Sequence, residues 1–201
     1  MVKKGILQRL EEIYRKLPVR FHYPQVSYDT LFNVPRNDNL VNEFIKRAKE
    51  IDINVEALQD VEELKQRIQK IFATYKRLWI DSTLKKSPFF MDKPVITNQW
   101  EAEAGITVCR ALIARTGSII LDSTQGRQAG LIAPNHFVLA TAKQLYPDLS
   151  HFFEQINNAS EPPSSISIIS GPSRTADIEK KLVKGAHGPK HITVLILLNH
   201  H

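Results

Sequence analysis

The chain has 201 residues, of which 42% are hydrophobic and 24% are charged, and its net charge is +6. This size supports one hydrophobic core and leaves little room for two full domains. The single cysteine, Cys109, excludes an intrachain disulfide and a four-thiolate iron–sulfur cluster, and it favours a reducing compartment.

Charge and hydropathy also limit the location and the partners. Residues 1–86 hold 17 of the 27 basic side chains and 12 of the 21 acidic ones, which fits an acidic partner or simply a solvated helix face. No nucleic-acid-binding motif accompanies this excess, so we expect no nucleic acid partner. The most apolar run, Ile192 to Leu198, is shorter than the roughly 20 residues of a membrane span, and no signal peptide is recognisable. We therefore expect a cytoplasmic protein with no membrane span.

In the first half of the chain, the spacing of apolar residues predicts amphipathic helices. One runs from Ile6 to Leu17, and a second covers Leu40 to Ala48. A third opens at Asp60, where Glu63 stands as the second half of a capping box. Leu78 to Ile80 follows as a short strand.

The second half alternates short β-rich runs with turns and helices. The predicted strands are Ile106–Val108, Ser118–Leu121, Gly130–Ala133, His136–Ala140, Ile166–Ile169 and Ile192–Leu198. Helices are predicted over 143–157 and from about Thr175 to Val183. The unbroken apolar run of the last strand indicates burial on both faces of a parallel sheet. We expect residues 60–201 to form an α/β layered domain and residues 1–59 to form a helical extension.

The sharpest candidate site is the turn between the strand Ile166–Ile169 and the helix predicted after it. A helix N-terminus at the end of a strand offers free N–H groups to an anion, and the guanidinium of Arg174 suits a carboxylate or phosphate. Thr175 and Asp177 are equally good capping residues for any helix, so an ordinary capped helix remains the alternative. The candidate binding residues for a small anionic metabolite are Gly171, Ser173, Arg174, Thr175 and Asp177.

Two further turns carry candidate residues. Thr116, Gly117 and Ser118 offer hydroxyls and bare backbone to a ligand, although a tight turn between core segments is the favoured interpretation. His187 and Gly188 are interpreted as a ligand contact or as a simple turn. A predicted nine-residue helix, about 14 Å long, separates this second turn from Ser173, so we place it at a second site or partner surface.

Several familiar sites are absent from the sequence. It contains neither a GxxxxGK[ST] phosphate loop nor a GxGxxG fingerprint. His187 and His191 are separated by Gly188-Pro189 and have no cysteine pair to accompany them, so we expect no metal site. Cys109 lies among small apolar residues and is interpreted as a core residue rather than a nucleophile.

The motifs resemble a known family. Residues 170–190, SGPSRTADIEKKLVKGAHGPK, resemble the C-terminal signature of the LUD family of lactate-utilisation proteins, and residues 104–123, AGITVCRALIARTGSIILDS, resemble its middle signature. The similarity covers about residues 60–198, and the C type, essentially a LUD domain alone, is the most similar. The resemblance implies a three-layer α/β/α fold like that of NagB, RpiA and coenzyme A transferases. One departure is Arg115, where family members often carry an acid before the Thr-Gly turn.

The resemblance implies a component of a lactate utilisation system. It implies that L-lactate becomes pyruvate and that electrons pass to iron–sulfur clusters on partner subunits, and we expect this chain to hold no cofactor of its own. One alternative is a stand-alone enzyme or binding protein for a phosphorylated, coenzyme A or folate-like metabolite, which rests on analogy of fold. Another is a scaffold that only binds partner subunits. Whether the chain is catalytic alone, and whether it forms a homo-oligomer, stay open at this point.

Overall fold

The computed structural model describes residues 39–87, 89–90, 93–123, 132–157, 163–176, 182–184 and 188–199, and of these it describes only the backbone for 174–176 and 182–184. Within these residues the helices are α1 (Leu40–Glu50), α2 (Val61–Thr74) and α3 (Leu149–Asn157). The strands are β1 (Ile53–Leu58), β2 (Leu78–Ile80), β3 (Ala104–Val108), β4 (Ala111–Ile113), β5 (Ser118–Asp122), β6 (Asn135–Thr141), β7 (Leu145–Tyr146), β8 (Ile166–Ile169), β9 (Arg174–Ala176), β10 (Leu182–Lys184) and β11 (His191–Leu197). Short 3₁₀ turns cover Leu84–Lys86, Gln99–Glu101 and Ala142–Gln144.

A five-stranded parallel sheet forms the centre of the fold. Its strand order is β1-β11-β6-β3-β2. β11 pairs with β1 on one side and with β6 on the other, and Val194, Leu195 and Ile196 in its middle are fully buried. The prediction of a parallel strand buried on both faces is therefore confirmed.

Both faces of the parallel sheet are covered. Ile68 and Ile71 of α2 pack on one face, against a cluster that includes Ile106. Phe44 and Ala48 of α1 pack on the opposite face, together with a second sheet of order β7-β4-β5-β8. Helix α3 covers the outer side of this second sheet. The predicted α/β class is confirmed, and the second sheet with its own helix adds to the expected layers.

Strand β1 was not predicted from the sequence. Its run Ile-Asn-Val-Glu-Ala-Leu lacks the continuous apolar character of a buried strand, because Asn54 and Glu56 are polar. The carboxylate of Glu56 has a partner in the fold. That partner is Arg67 of α2, which donates two hydrogen bonds of 2.6 and 2.8 Å to the Glu56 carboxylate. The compact unit that contains the sheet spans Arg36–His201, so the boundary expected at residue 60 falls inside it. The predicted helix Ile6–Leu17 lies outside the described residues.

Two helix predictions in the second half need correction. The helix predicted over 143–157 begins only at Leu149, because a 3₁₀ turn and the short strand β7 come first. The helix predicted from Thr175 to Val183 is wrong at both ends, where β9 and β10 pair as antiparallel strands. The β-branched side chains of Thr175 and Val183 favour strands, and this preference outweighs the capping pattern. The strand predicted at Gly130–Ala133 falls largely outside the described residues, and Ala133 belongs to no strand.

Replacement of Phe44 by alanine tests whether α1 belongs to the core. The ring is fully buried against the parallel sheet, so Phe44→Ala is expected to lower the free energy of unfolding by about 3–5 kcal/mol in urea titrations. Phe153→Ala is the matched control: the Phe153 side chain is 38% exposed, and its loss is expected to cost less than about 1.5 kcal/mol. Equal effects of the two substitutions would contradict the placement of α1 in the core.

Candidate functional site

Two of the segments singled out in the sequence come together in the fold. β5 and β8 are antiparallel neighbours, with Ile119 opposite Ile169. The hydroxyls of Ser118, at the start of β5, and Ser170, just after β8, therefore share a hydrogen bond of 2.8 Å. The turn at 116–118 and the loop that begins at Ser170 thus form one cluster, although 52 residues separate the two serines.

The glycines of this cluster press against the C-terminal end of α1. Gly117 has a φ of +66°, and a Cβ there would lie 2.4 Å from the Ala48 nitrogen. Gly171 has a φ of +119°, and its Cβ would lie 2.8 Å from the Ile51 carbonyl oxygen. Only glycine adopts these conformations at low cost and permits so close an approach. At these two positions the bare backbone serves packing between elements, which was the favoured interpretation of the turn at Gly117.

The loop after β8 differs from the helix N-terminus expected there. β8 belongs to the second sheet rather than the parallel one, and β9 follows the loop in place of a helix. Arg174 and Thr175 lie in β9, while Asp177 and His187 lie outside the described residues. The argument from free helix N–H groups therefore fails here. A ligand role for Gly171, Ser173, Arg174, Thr175 and Asp177 stays a prediction that rests on their side chains and the loop backbone.

The loop after β8 and the turn at Gly188, called the two signature loops below, also lie closer together than expected. The Ser173 N–H donates a 3.0 Å hydrogen bond to the Pro189 carbonyl, because β9 and β10 form a hairpin that returns the chain. The expected separation of Ser173 from the turn at Gly188 was based on an intervening helix and is wrong. The N–H groups of Lys190 and His191 donate to the Pro134 carbonyl at 2.8 and 3.1 Å, where β6 and β11 begin. Both loops therefore lie at the amino edge of the parallel sheet.

A cavity of about 270 Å³ opens at the opposite, carboxyl edge. There β1 leads into α2 on one face of the sheet, whereas β6 leads into β7 on the other face. Such a divergence opens the crevice in which open α/β sheets bind ligands. Its wall is formed by strand ends, by the first turns of α2, by the segment after β2 and by Gln144. The strand ends contribute Val108, Leu139, Ala140, Thr141 and Leu197, α2 contributes Val61, Leu64 and Ile68, and the segment after β2 contributes Leu84, Ser87, Phe89 and Phe90.

The polar groups in this wall are few and mostly engaged. The Gln144 carboxamide oxygen accepts from the Thr141 N–H at 2.7 Å, and its Nε2 donates to the Cys109 carbonyl at 2.5 Å. The Asp60 carboxylate caps α2 by accepting from the N–H groups of Glu62 and Glu63, both at 2.9 Å. Glu63 completes the cap by accepting from the Gln59 N–H, one residue before the predicted partner. The N–H groups at the start of α2 are thus hydrogen-bonded to nearby side chains, and the cavity suits an apolar group.

Asp81 fixes the segment that closes one side of the cavity. It follows β2 and is fully buried. One carboxylate oxygen accepts from the N–H and the hydroxyl of Thr83, at 2.8 and 3.0 Å, and the Asp81 carbonyl accepts from the Leu84 N–H at 3.0 Å. The other carboxylate oxygen has no hydrogen-bond partner within the part of the chain that the structure describes. The sequence analysis did not single out Asp81, since an acid after a strand is also a common turn residue.

Two buried titratable groups are neutral at physiological pH. Burial raises the pKa of the Cys109 thiol to about 12, which opposes a nucleophilic role and agrees with its interpretation as a core residue. Burial lowers the pKa of the His136 imidazole to about 3. Nε2 of His136 shares a 2.8 Å hydrogen bond with the Thr107 hydroxyl, and Nδ1 has no partner among the described residues. In sequence this histidine is only one polar residue within an apolar strand.

Comparison with known proteins places the chain in a family. The family model described as LUD domain matches residues 92–197, which is more than half of the chain. The chain belongs to the LUD domain family. The match begins before β3 and ends with β11, so β1 and β2 complete the parallel sheet of this LUD domain from outside the matched region.

Individual relatives agree with this assignment. An uncharacterized protein of Neisseria meningitidis is 36% identical over 104 residues, and Lactate utilization protein C of Oceanobacillus iheyensis is 30% identical over 103 residues. These alignments cover 49% and 48% of the chain, and 44% of either relative's own length. Lactate utilization protein C of Halalkalibacterium halodurans is 27% identical over 76% of both chains.

A solved structure supports the fold. The crystal structure of a DUF162 family protein from Deinococcus radiodurans superimposes with a TM-score of 0.60 at 21% identity. The superposition covers 79% of this LUD domain chain and 96% of that chain, and it shows likeness of fold alone. Among the described residues, no helix has the length and apolar character to cross a membrane, and no three His, Cys, Asp or Glu side chains are grouped to hold a metal ion.

Substitution of Gly117 tests the close packing of the turn before β5 against α1 in this LUD domain. In Gly117→Ala the methyl group meets the Ala48 backbone and the positive φ becomes strained, so the free energy of unfolding is expected to fall by at least about 2 kcal/mol. Thr116→Ala in the same turn is the control, because Thr116 is exposed, and it is expected to change the stability by less than about 0.5 kcal/mol. A Gly117→Ala protein as stable as the control would refute the contact.

His136 predicts a pH dependence of stability. Its folded pKa of about 3 lies below the unfolded value of about 6.5, so between these limits only the unfolded state gains a proton. Stability is therefore lost as the pH falls through this window, by about 1.4 kcal/mol per pH unit from this residue. Urea titrations between pH 7.5 and 5 are expected to show this slope in the parent protein and to lose that part of it in His136→Gln. An identical slope in both proteins would disprove burial of a neutral imidazole.

The chosen pH window keeps Asp148 out of the measurement. Burial opposes ionisation of its carboxyl, but hydrogen bonds from Ser150 and His151 lower its pKa to about 2. The stability that Asp148 contributes is present above its unfolded value of about 3.9 and is lost only as the pH falls below it. Between pH 7.5 and 5 the slope therefore contains no contribution from Asp148, whose range meets that of His136 only below about pH 3.9.

Proposed function

We propose that this LUD domain chain is a component of a lactate utilisation system that supports oxidation of L-lactate to pyruvate. The observation that carries the proposal is family membership, with relatives at about 30% identity that are named Lactate utilization protein C. The oxidation releases two electrons and two protons. The one cysteine of this chain is too few for a four-thiolate cluster, so the electrons would pass to iron–sulfur clusters on partner subunits. A cytoplasmic location suits such a complex.

The loop from Gly171 to Thr175 is the proposed place for a carboxylate. In the β9–β10 hairpin, Arg174 stands directly opposite Lys184 in the antiparallel register. The planar guanidinium of an arginine suits a carboxylate, which it can bind through two parallel hydrogen bonds. The adjacent bond between Ser173 and Pro189 ties this end of the hairpin to the start of β11. A small hydroxy acid supplies the required carboxylate.

Growth on L-lactate as sole carbon source tests the proposed system. Deletion of the gene is expected to abolish growth on L-lactate but not on glucose, and restoration of the gene is expected to return it. Normal growth of the deletion strain, in a genome with no duplicate gene, would overturn the lactate proposal.

An Arg174→Ala allele tests the proposed loop separately. We expect it to assemble with partner subunits but to restore less than a tenth of the growth rate, because the carboxylate loses a charged hydrogen-bond partner worth about 1.5–3 kcal/mol. Arg47→Ala is the matched control, since Arg47 is an exposed residue of α1 that pairs only with neighbouring Glu50 among the ion pairs found. Full growth with Arg174→Ala would reject the role of Arg174 and leave a scaffold that binds partners.

A further inference from the structure

A second cavity adjoins the one at the carboxyl edge of the parallel sheet. It also has a volume of about 270 Å³, and the two cavities share Ile68 and Phe89 as a common wall. Its other lining residues are polar: Lys65 and Gln69 of α2, and Lys93. An apolar cavity and a basic cavity thus lie side by side on the same face of α2.

The two ammonium groups lie over the faces of aromatic rings. Lys65 Nζ lies 5.8 Å from the centroid of the Phe89 ring, and Lys93 Nζ lies 5.7 Å from that of Phe72. Cations over ring faces are held by the quadrupole of the ring, which limits where the flexible stems can reach. Lys65 also pairs with Glu62 at 3.3 Å, with both side chains about half exposed. Two positive charges therefore border the basic cavity, and Glu62 pairs with one of them.

We infer that the two neighbouring cavities together form a binding site for an amphipathic anion. The apolar body of the ligand occupies the cavity between α2 and the strand ends, and its carboxylate or phosphate lies between Lys65 and Lys93. This inference is independent of the proposed role in lactate oxidation. It also concerns the edge of the sheet opposite to the signature loops.

The chemistry of the wall decides the class of ligand. Leu64, Leu139 and Phe90 offer no partner to a buried hydroxyl, and such a group would lose its hydrogen bonds to water on entry. A three-carbon hydroxy acid gains little there, whereas an aliphatic chain or aromatic ring gains roughly 25 cal/mol for each Å² of apolar surface removed from water. Each cavity, at about 270 Å³, lies just below the roughly 300–1,000 Å³ range that is usual for ligand sites, so the proposed ligand extends over both. The ligand therefore combines a hydrocarbon body with one charged end.

A pair of fluorescent probes tests this assignment. 8-Anilinonaphthalene-1-sulfonate has an aromatic body and one negative charge, and N-phenyl-1-naphthylamine is its neutral counterpart. We expect the anionic probe to bind the intact chain at one site in the micromolar range, more tightly than the neutral one. Lys65→Gln/Lys93→Gln is expected to weaken the anionic probe about 10-fold, the loss of about 1.4 kcal/mol, and to leave the neutral probe unchanged.

Two further variants act as control and as second probe of the site. Lys46→Gln/Lys49→Gln makes the same change of net charge on exposed positions of α1, across the sheet, and is expected to bind both probes as the parent does. Val61→Trp places a large ring in the mouth of the apolar cavity, at a position that is 37% exposed and so tolerates it, and is expected to weaken both probes. Equal losses in the two lysine pairs, or unchanged binding of both probes to Val61→Trp, would overturn the inference.

Displacement of the probe distinguishes the anionic group. Decanoate and decyl phosphate are titrated against the bound anionic probe, with decanol as the neutral reference. Displacement by either anion at concentrations at which decanol has no effect supports the site. The anion that displaces the probe at the lower concentration shows whether the site prefers a carboxylate or a phosphate. Failure of both anions at 1 mM, or equal displacement by decanol, contradicts it. A cooperative thermal transition recorded for each variant under the same conditions excludes probe binding to a loosely packed state.

Discussion

The fold depends on the burial of β11 on both of its faces. Val194 belongs to the core cluster on the side of α1, and Leu195 belongs to the cluster on the side of α2. A strand with apolar side chains on both faces must have a layer on each side and a hydrogen-bonded neighbour at each edge. β6 provides one neighbour from the middle of the chain, and β1 provides the other from the residues before α2. This requirement explains why the segment from Leu40 to Leu58 belongs to the domain.

The second constraint is the seating of α1 on the same face as the second sheet. Helix α1 and the second sheet share one face of the parallel sheet. The backbone at the end of α1 therefore meets the backbone just before β5 and just after β8. Gly117 and Gly171 permit this contact, and the hydroxyl pair of Ser118 and Ser170 joins the two segments. The signature loops are consequently fixed at the amino edge of the parallel sheet. The cavity at the carboxyl edge is lined by other segments.

Sequence patterns predicted the elements whose signals are local. The stripe of α2 with its Asp60 cap and the unbroken run of β11 both depend on residues close together in the chain, and both are confirmed. β1 was not predicted because Glu56 interrupts its apolar pattern. A carboxylate is accommodated there only because Arg67, on α2, donates hydrogen bonds to it. The helix proposed after Thr175 failed because capping residues also suit a hairpin, and the pairing with β10 is a tertiary choice. The cavity was not predictable for the same reason, since its wall combines segments from Val61 to Leu197.

The extent of the family match bears on how the two edges differ. Residues 92–197 include both signature loops, the strand ends at Val108 and Leu139, and Lys93. The opposite wall of the two neighbouring cavities, with Val61, Leu64 and Lys65, comes from α2 and lies outside that match. A family-wide function belongs with the elements that the match contains, which favours the amino-edge loops as the place of the proposed lactate chemistry. A site built half from the match and half from α2 is instead suited to a ligand preference that belongs to this chain and to relatives sharing its first helices and strands.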